Sequence, residues 1–99
     1  MAKEIKWTKT ASRNFDNIMK YLSENWSYSV VSNFVHRTSD ILLVLSEFPH
    51  LGELQVADKG IRGILITKHN KLFYRIDGPR LIVLKIFDTR QNPKKLKLR

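Results

Sequence analysis

The 99-residue sequence contains no cysteine, which excludes disulfide bonds and zinc sites built on thiolates. It also has no long apolar run, so no segment approaches the length of a membrane-spanning helix. The N-terminal residues lack the apolar stretch of a signal peptide. These absences predict a globular protein with no membrane association, located in the cytoplasm.

Acidic residues are few, and they are unevenly distributed along the chain. The sequence has 9 Asp and Glu against 18 Lys and Arg, a net charge of +9. Residues 1–50 hold six basic and five acidic residues, whereas residues 51–99 hold twelve and four. Basic character concentrated in one half favours a polyanionic partner, either a nucleic acid or an acidic protein.

The N-terminal half has the pattern of one strand followed by two helices. Residues 4–7 alternate apolar and charged side chains and predict a strand. Apolar residues then recur at helical spacing in two stretches, each preceded by Thr or Ser as a candidate N-cap, and Pro49 ends the second. The two stripes are Ala11, Phe15, Ile18, Met19 and Leu22, then Val30, Phe34, Thr38, Ile41, Leu45 and Phe48. The aromatic residues expected in the core are Phe15, Phe34, Phe48 and Tyr74.

Three further strands are predicted within residues 61–90. Short runs rich in Ile, Val, Phe and Tyr are separated there by turn-forming residues at 68–71 and 77–80. Residues 49–60 are predicted to form a connecting loop. The fold class is therefore α+β in the order β-α-α-β-β-β, a four-stranded, mostly antiparallel sheet with the helical hairpin on one face. Residues 1–99 are expected to form a single domain, in which residues 91–99 are a basic tail.

Several short motifs, taken in their order, resemble the RelE/ParE superfamily of bacterial toxins. They are Ile5-Lys-Trp-Thr, Tyr21-Leu, Phe48-Pro-x-x-Gly52, Ile61-Arg62, Leu72-Phe-Tyr74-Arg-Ile76 and Ile86-Phe-Asp-Thr-Arg-Gln-Asn-Pro93. The resemblance spans residues 4–93, and the closing motif is most similar to the ParE and plasmid-stabilisation branch. It implies the toxin of a type II toxin–antitoxin pair, held inactive in a hetero-oligomer with a co-encoded acidic antitoxin.

This resemblance implies two alternative activities. RelE-like toxins cut messenger RNA in the ribosome, without metal or cofactor, whereas ParE-like toxins inhibit DNA gyrase by binding it. Metal-free RNA cleavage needs a proton acceptor, a proton donor and cations around the phosphorane. The absence of Tyr and His after Tyr74 removes one source of a proton donor. The sequence therefore leaves open whether the protein is an enzyme.

The candidate catalytic residues of a nuclease are mostly basic. By resemblance, Arg90 lies where RelE-like enzymes hold the scissile phosphate, and Lys71 lies near a second family arginine. Asp88 is a candidate base, although a salt bridge to Arg90 is the simpler interpretation. His69 has a suitable ordinary pKa but lies in a predicted turn, where a solvent-facing histidine is more common. The catalytic candidates are thus Arg62, His69, Lys71, Asp88 and Arg90; those for nucleic-acid or target binding are Lys68, Arg75, Lys85, Phe87, Lys94 and Lys95.

Alternation along the strand that begins near Lys71 predicts which side chains face the helices. Leu72, Tyr74 and Ile76 share one face, and Arg75 lies on the other. The register of the neighbouring strands decides whether Arg62 joins Arg75, because a shift of one residue reverses a strand's faces. We expect Arg62, Lys71, Arg75 and Arg90 to form one anion-binding surface. We expect no metal site in this protein.

Overall fold

In the computed structural model of this chain, which describes residues 2–90, two helices pack on one face of a five-stranded sheet. The elements are β1 (Glu4–Trp7), α1 (Lys9–Asn25), α2 (Tyr28–Glu47), β2 (Glu53–Val56), β3 (Ile61–Thr67), β4 (Asn70–Asp77) and β5 (Arg80–Asp88). Across the sheet the order is β1-β5-β4-β3-β2; β1 runs parallel to β5, and the other pairs are antiparallel. The α+β class and the mostly antiparallel sheet are confirmed.

The prediction of four strands is wrong by one, because part of the expected loop at residues 49–60 is a strand. Strand β2 pairs with β3, with Glu53 opposite Gly63 and Leu54 opposite Arg62. It is a four-residue edge strand whose first three residues are exposed, although its sequence, Glu53-Leu-Gln-Val56, alternates polar and apolar side chains as strands do. A short 3₁₀ turn, Ala57–Lys59, connects it to β3.

Thr8 starts α1 and also anchors it to the sheet. Its side-chain oxygen accepts a hydrogen bond from the Ala11 amide at 3.0 Å, which is the usual N-cap interaction. The same hydroxyl lies 3.1 Å from the carbonyl oxygens of both Val83 and Leu84, to which it can donate. One side chain thus caps α1 and sets its first turn against β5.

The core lies between the helices and one face of the sheet. Its buried residues are Ala11, Phe34, Leu45, Ile66, Leu72, Tyr74, Leu81, Val83 and Ile86. Phe15 stacks on Phe34 with ring centroids 5.3 Å apart. The expected packing of Phe15, Phe34 and Tyr74 is confirmed, but that of Phe48 is wrong. Phe48 follows the last residue of α2, and its side chain is 66% exposed.

Within residues 2–90, neither helix combines the length and the apolar composition required to cross a membrane.

Candidate functional site

The register between β3 and β4 divides the predicted basic surface between two faces of the sheet. Arg62 is opposite Tyr74, whereas Lys71 is opposite the exposed Leu65. Residues directly opposite one another project to the same face. Arg62 therefore lies on the helix-facing side with the core residue Tyr74, while Lys71 and Arg75 lie on the open face. The expectation that these cations form a single surface is wrong.

Arg62 binds the backbone that follows α2. Its Nη1 donates to the carbonyl oxygens of Gly52 at 2.8 Å and His50 at 3.3 Å. The phenol of Tyr74 acts on the same segment: it donates to the Pro49 carbonyl at 2.6 Å and accepts from the Gly52 amide at 2.9 Å. Burial raises the pKa of this phenol, partly offset by the Gly52 hydrogen bond and the charge of Arg62. Together Arg62 and Tyr74 hold the backbone of residues 49–52.

On the open face, the stem of Lys71 crosses β3 at Gly63. A β-carbon on Gly63 would lie 2.8 Å from Lys71 Cε, so glycine provides the space for this stem. The Lys71 ammonium donates to Gln55 Oε1 at 3.3 Å and lies 5.7 Å from the centroid of the Phe73 ring. Phe73 is itself buried, although it lies on the open face. Arg75 lies farther along β4, 3.9 Å from an Asp77 oxygen.

A groove of about 570 Å³ lies between α1 and the end of β5. Strand β1 pairs with β5 from Arg80 to Val83, and beyond that point α1 flanks the strand. The side-chain oxygen of Asn14 accepts a hydrogen bond from the Ile86 amide at 3.1 Å, so α1 satisfies part of this strand edge. We call this the α1–β5 groove; its lining residues are Thr10, Asn14, Asn17, Ile18, Tyr21, Leu22, Asn70, Lys85, Ile86, Phe87, Asp88 and Arg90.

Arg90 and Asp88 form a close pair at the end of this groove. The guanidinium donates from Nε to Oδ1 at 3.0 Å and from Nη2 to Oδ2 at 2.8 Å, and the Arg90 amide donates to Oδ1 at 2.9 Å. These interactions hold the pKa of the Asp88 carboxyl below its ordinary value and raise that of Arg90. The salt bridge considered from the sequence is therefore present, and the Asp88 carboxylate occupies the fork of the Arg90 guanidinium.

The remaining candidates lie near the β3–β4 turn or beyond the described residues. Lys68 is exposed, and His69 is half-buried with its carbonyl accepting from the Thr89 amide at 2.8 Å. Lys85 is opposite Phe73 and Phe87 is opposite Lys71, so both lie on the open face of the sheet; both also border the α1–β5 groove. Lys94, Lys95 and the rest of the predicted tail 91–99 lie outside the described residues. Among residues 2–90, no group of three or more His, Asp or Glu side chains could hold a metal ion.

Sequence reasoning missed the contribution of α1 to the groove. Tyr21 lines the groove near Arg90, and its proximity contributes a little to the raised pKa of that arginine, after the dominant hydrogen bond that Arg90 donates to Asp88. A signal was present, because Thr10, Asn14, Asn17 and Tyr21 recur at steps of four, three and four residues. That spacing places neutral polar side chains on one helical stripe beside the apolar one.

Comparisons with known proteins point to one group of relatives. The family model described as "ParE toxin of type II toxin-antitoxin system, parDE" matches residues 5–93. Toxin ParE3 of Caulobacter vibrioides is 29% identical over 86 residues, covering 86% of this chain and 85% of that protein. Among solved structures, the chromosomal ParDE toxin–antitoxin system of P. aeruginosa aligns with a TM-score of 0.71 and 17% identity over 88% of this chain and 96% of that one. The RelBE2 toxin–antitoxin complex of Mycobacterium tuberculosis aligns with a TM-score of 0.58 and 17% identity over 89% of this chain and 99% of that one. At these identities the structural likeness supports the fold.

Proposed function

Because this chain belongs to the ParE toxin family of type II toxin–antitoxin systems, we propose that it arrests growth in the cytoplasm by binding DNA gyrase. The proposed action is stoichiometric and non-catalytic. One observation carries the proposal: the three cations expected to surround the phosphate of a nuclease site, Arg62, Lys71 and Arg90, lie in separate places, although His69 and Asp88 lie near Arg90. Arg62 holds backbone carbonyls on the helix-facing side, Lys71 crosses the open face, and Arg90 is engaged by Asp88.

This separation matters because RNA cleavage without a metal requires several groups at one phosphate. A proton acceptor, a proton donor and at least one cation must lie within hydrogen-bonding reach of the same reacting atoms. Arg62 and Lys71 project to opposite faces of the sheet, so they cannot meet at one phosphate. Inhibition by binding has no such requirement and needs only a complementary surface.

A second candidate function, ribosome-dependent cleavage of messenger RNA, is supported by the α1–β5 groove. Tyr21 and Arg90 both line it, which brings a phenol, whose O–H can donate a proton, close to a guanidinium. Lys85 is another basic residue of the lining. In this mechanism Arg90 would exchange Asp88 for the scissile phosphate.

The proposed partner in the inactive complex is an acidic antitoxin that covers the α1–β5 groove and the basic side chains around it. The support is the net charge of +9, the lining by Lys85 and Arg90, and the neutral polar stripe of α1. Charge attraction between exposed groups is screened by salt. The affinity for the antitoxin should therefore fall as ionic strength rises; an affinity independent of salt would contradict this electrostatic account.

Two assays with purified protein separate the candidate functions. The protein is added to a gyrase supercoiling reaction and, separately, to translating ribosomes whose messenger RNA is analysed for cleavage. Blocked supercoiling with intact message supports the gyrase proposal. Message cleavage that is abolished by Arg90→Ala and retained by Arg13→Ala, an exposed basic residue of α1, would establish the nuclease and contradict the proposal.

A further inference from the structure

Side chains of the sheet form hydrogen bonds with the backbone of the segment between α2 and β2. Three side-chain hydrogen bonds of 2.6–2.9 Å reach it: Tyr74 to the Pro49 carbonyl, the Gly52 amide to Tyr74, and Arg62 to the Gly52 carbonyl. A further bond of 3.1 Å joins the Leu51 amide to the Phe48 carbonyl. A loop restrained in this way loses little conformational freedom when another molecule binds it.

The same segment presents large apolar side chains to solvent. Phe48 is 66% exposed and Leu51 is 57% exposed, and Val44, one helical turn before Phe48, is also exposed. Leu43 completes this group, which we call the loop patch: Leu43, Val44, Phe48 and Leu51. Apolar side chains that are exposed together on a restrained backbone are typical of protein-binding sites, where aromatic residues are enriched among those that dominate the affinity.

The stretch of sequence that contains the loop patch and its flanking residues differs in charge from the rest of the chain. Residues 38–58 contain four acidic residues and no Lys or Arg, within a sequence whose net charge is +9. The nearby Arg62 has its Nη1 directed inward to the carbonyls of His50 and Gly52. An apolar patch in an acidic stretch is unsuited to nucleic acid and to an acidic antitoxin. It complements an apolar protein cleft bordered by Lys or Arg.

The loop patch and the α1–β5 groove lie toward opposite ends of β5. The Lys3 amide donates to the Ser46 carbonyl at 2.8 Å, so the end of α2 lies beside the start of β1. There Glu4 is opposite Arg80, the first residue of β5, whereas the groove is lined by residues at the other end of that strand. Nine residues of strand extend about 25–30 Å. A ligand in the groove therefore leaves the loop patch accessible.

We propose that the loop patch is the surface with which this toxin docks onto its target protein, seating Phe48 and Leu51 in an apolar cleft with a basic border. The choice of gyrase as that target rests on the function proposed above. The loop patch is the surface of the toxin that makes this contact. The restrained backbone of residues 49–52 therefore serves target binding.

The test compares two double variants that each replace one exposed aromatic residue and one exposed leucine. Phe48→Ser/Leu51→Ser alters the loop patch; Tyr28→Ser/Leu65→Ser alters exposed residues elsewhere. Growth arrest in cells, inhibition of purified gyrase, thermal unfolding and antitoxin binding are measured for both variants and for the unaltered chain. We expect the loop-patch variant to bind antitoxin normally, to lose growth arrest and to inhibit gyrase at least about 100-fold more weakly. The control variant should retain all four properties.

Different outcomes contradict the docking surface and the choice of gyrase as the target. Growth arrest retained by Phe48→Ser/Leu51→Ser, or lost equally in Tyr28→Ser/Leu65→Ser, would overturn the docking surface. If the unaltered chain arrests growth without inhibiting gyrase, and the loop-patch variant loses that arrest, gyrase is excluded while the docking surface stands. Should the double variant unfold or lose antitoxin binding, the single change Leu51→Lys decides: retained arrest contradicts the inference and lost arrest supports it.

Discussion

The phenol oxygen of Tyr74 lies 2.9 Å from the amide nitrogen of Gly52, and a β-carbon at position 52 would lie 2.5 Å from that same oxygen. Glycine is therefore required at this position by the space that Tyr74 occupies. Backbone conformation is not the reason, because among the described residues positive φ angles occur at Gly60 and Gly78. The Phe48-Pro-x-x-Gly52 motif and Tyr74 thus form one structural unit, although 22 positions separate Gly52 from Tyr74.

Replacing Gly52 with alanine should lower the free energy of unfolding by about 2 kcal/mol, because the added methyl group displaces a buried tyrosine ring. Urea unfolding followed by circular dichroism measures the change. Gly60→Asn is the matched control: Gly60 has a φ of 64° with nothing near its missing side chain, and asparagine tolerates that conformation. A Gly52→Ala protein as stable as Gly60→Asn would show that Tyr74 can move aside.

Removing the Tyr74 hydroxyl should also destabilise the protein. Tyr74→Phe keeps the ring but leaves the Pro49 carbonyl and the Gly52 amide without the partner they have now. We expect a loss of about 1–3 kcal/mol in the free energy of unfolding, measured by the same urea titration. Tyr28→Phe removes a hydroxyl from a side chain that is 85% exposed and should leave stability unchanged. Equal stability of the two variants would mean that water replaces the hydroxyl at no cost.

The same phenol makes stability depend on alkaline pH. Burial raises the pKa of Tyr74 in the folded protein above that in the unfolded chain, so the folded state favours the protonated form. This contribution is complete below the unfolded pKa, near 10, and is lost as pH rises through the higher folded pKa. The stability advantage over Tyr74→Phe should therefore shrink above about pH 10. An advantage that stays constant or grows in that range would contradict the assignment.

The sequence pattern predicted the helices and most of the strands because periodic apolar residues set those elements. Strand β2 escaped prediction although Glu53-Leu-Gln-Val56 alternates polar and apolar side chains, because Pro49, Gly52 and Gly60 around it favoured a loop. The side of the sheet occupied by Arg62 depended on the β3–β4 register, which composition cannot supply. Phe48 fits the helical stripe of α2, but the helix ends one residue earlier, so a side chain expected in the core is exposed.

Arg62 should behave as a structural residue. Arg62→Lys keeps the positive charge but cannot reproduce the planar donor that now contacts the carbonyls of His50 and Gly52. We expect a loss of about 1 kcal/mol in the free energy of unfolding. Growth arrest should persist at temperatures where the variant remains folded, because Tyr74 still holds residues 49–52 through Pro49 and Gly52. The control, Arg75→Lys, alters an exposed pair whose closest atoms are 3.9 Å apart and should not change stability.

An Arg62→Lys protein of unaltered stability that no longer arrests growth would contradict this assignment. It would instead favour direct contact between Arg62 and the target or its RNA. Thermal unfolding and growth arrest, measured on the same variant, separate the two roles because only the structural role predicts a lower midpoint.

The Asp88 carboxyl should titrate below its ordinary pKa of 3.8 because the Arg90 side chain donates two hydrogen bonds to it. A lowered folded pKa contributes stability above the unfolded pKa, and that contribution is lost as pH falls through the folded value. Carboxyl carbon chemical shifts followed by NMR report the midpoint directly. Arg90→Gln should move the Asp88 pKa upward toward its ordinary value, whereas Arg75→Gln, a change beside Asp77, should leave it unaltered. Equal Asp88 midpoints in these two variants would mean that the guanidinium of Arg90 is free in solution, available to a phosphate or an antitoxin carboxylate without first displacing Asp88.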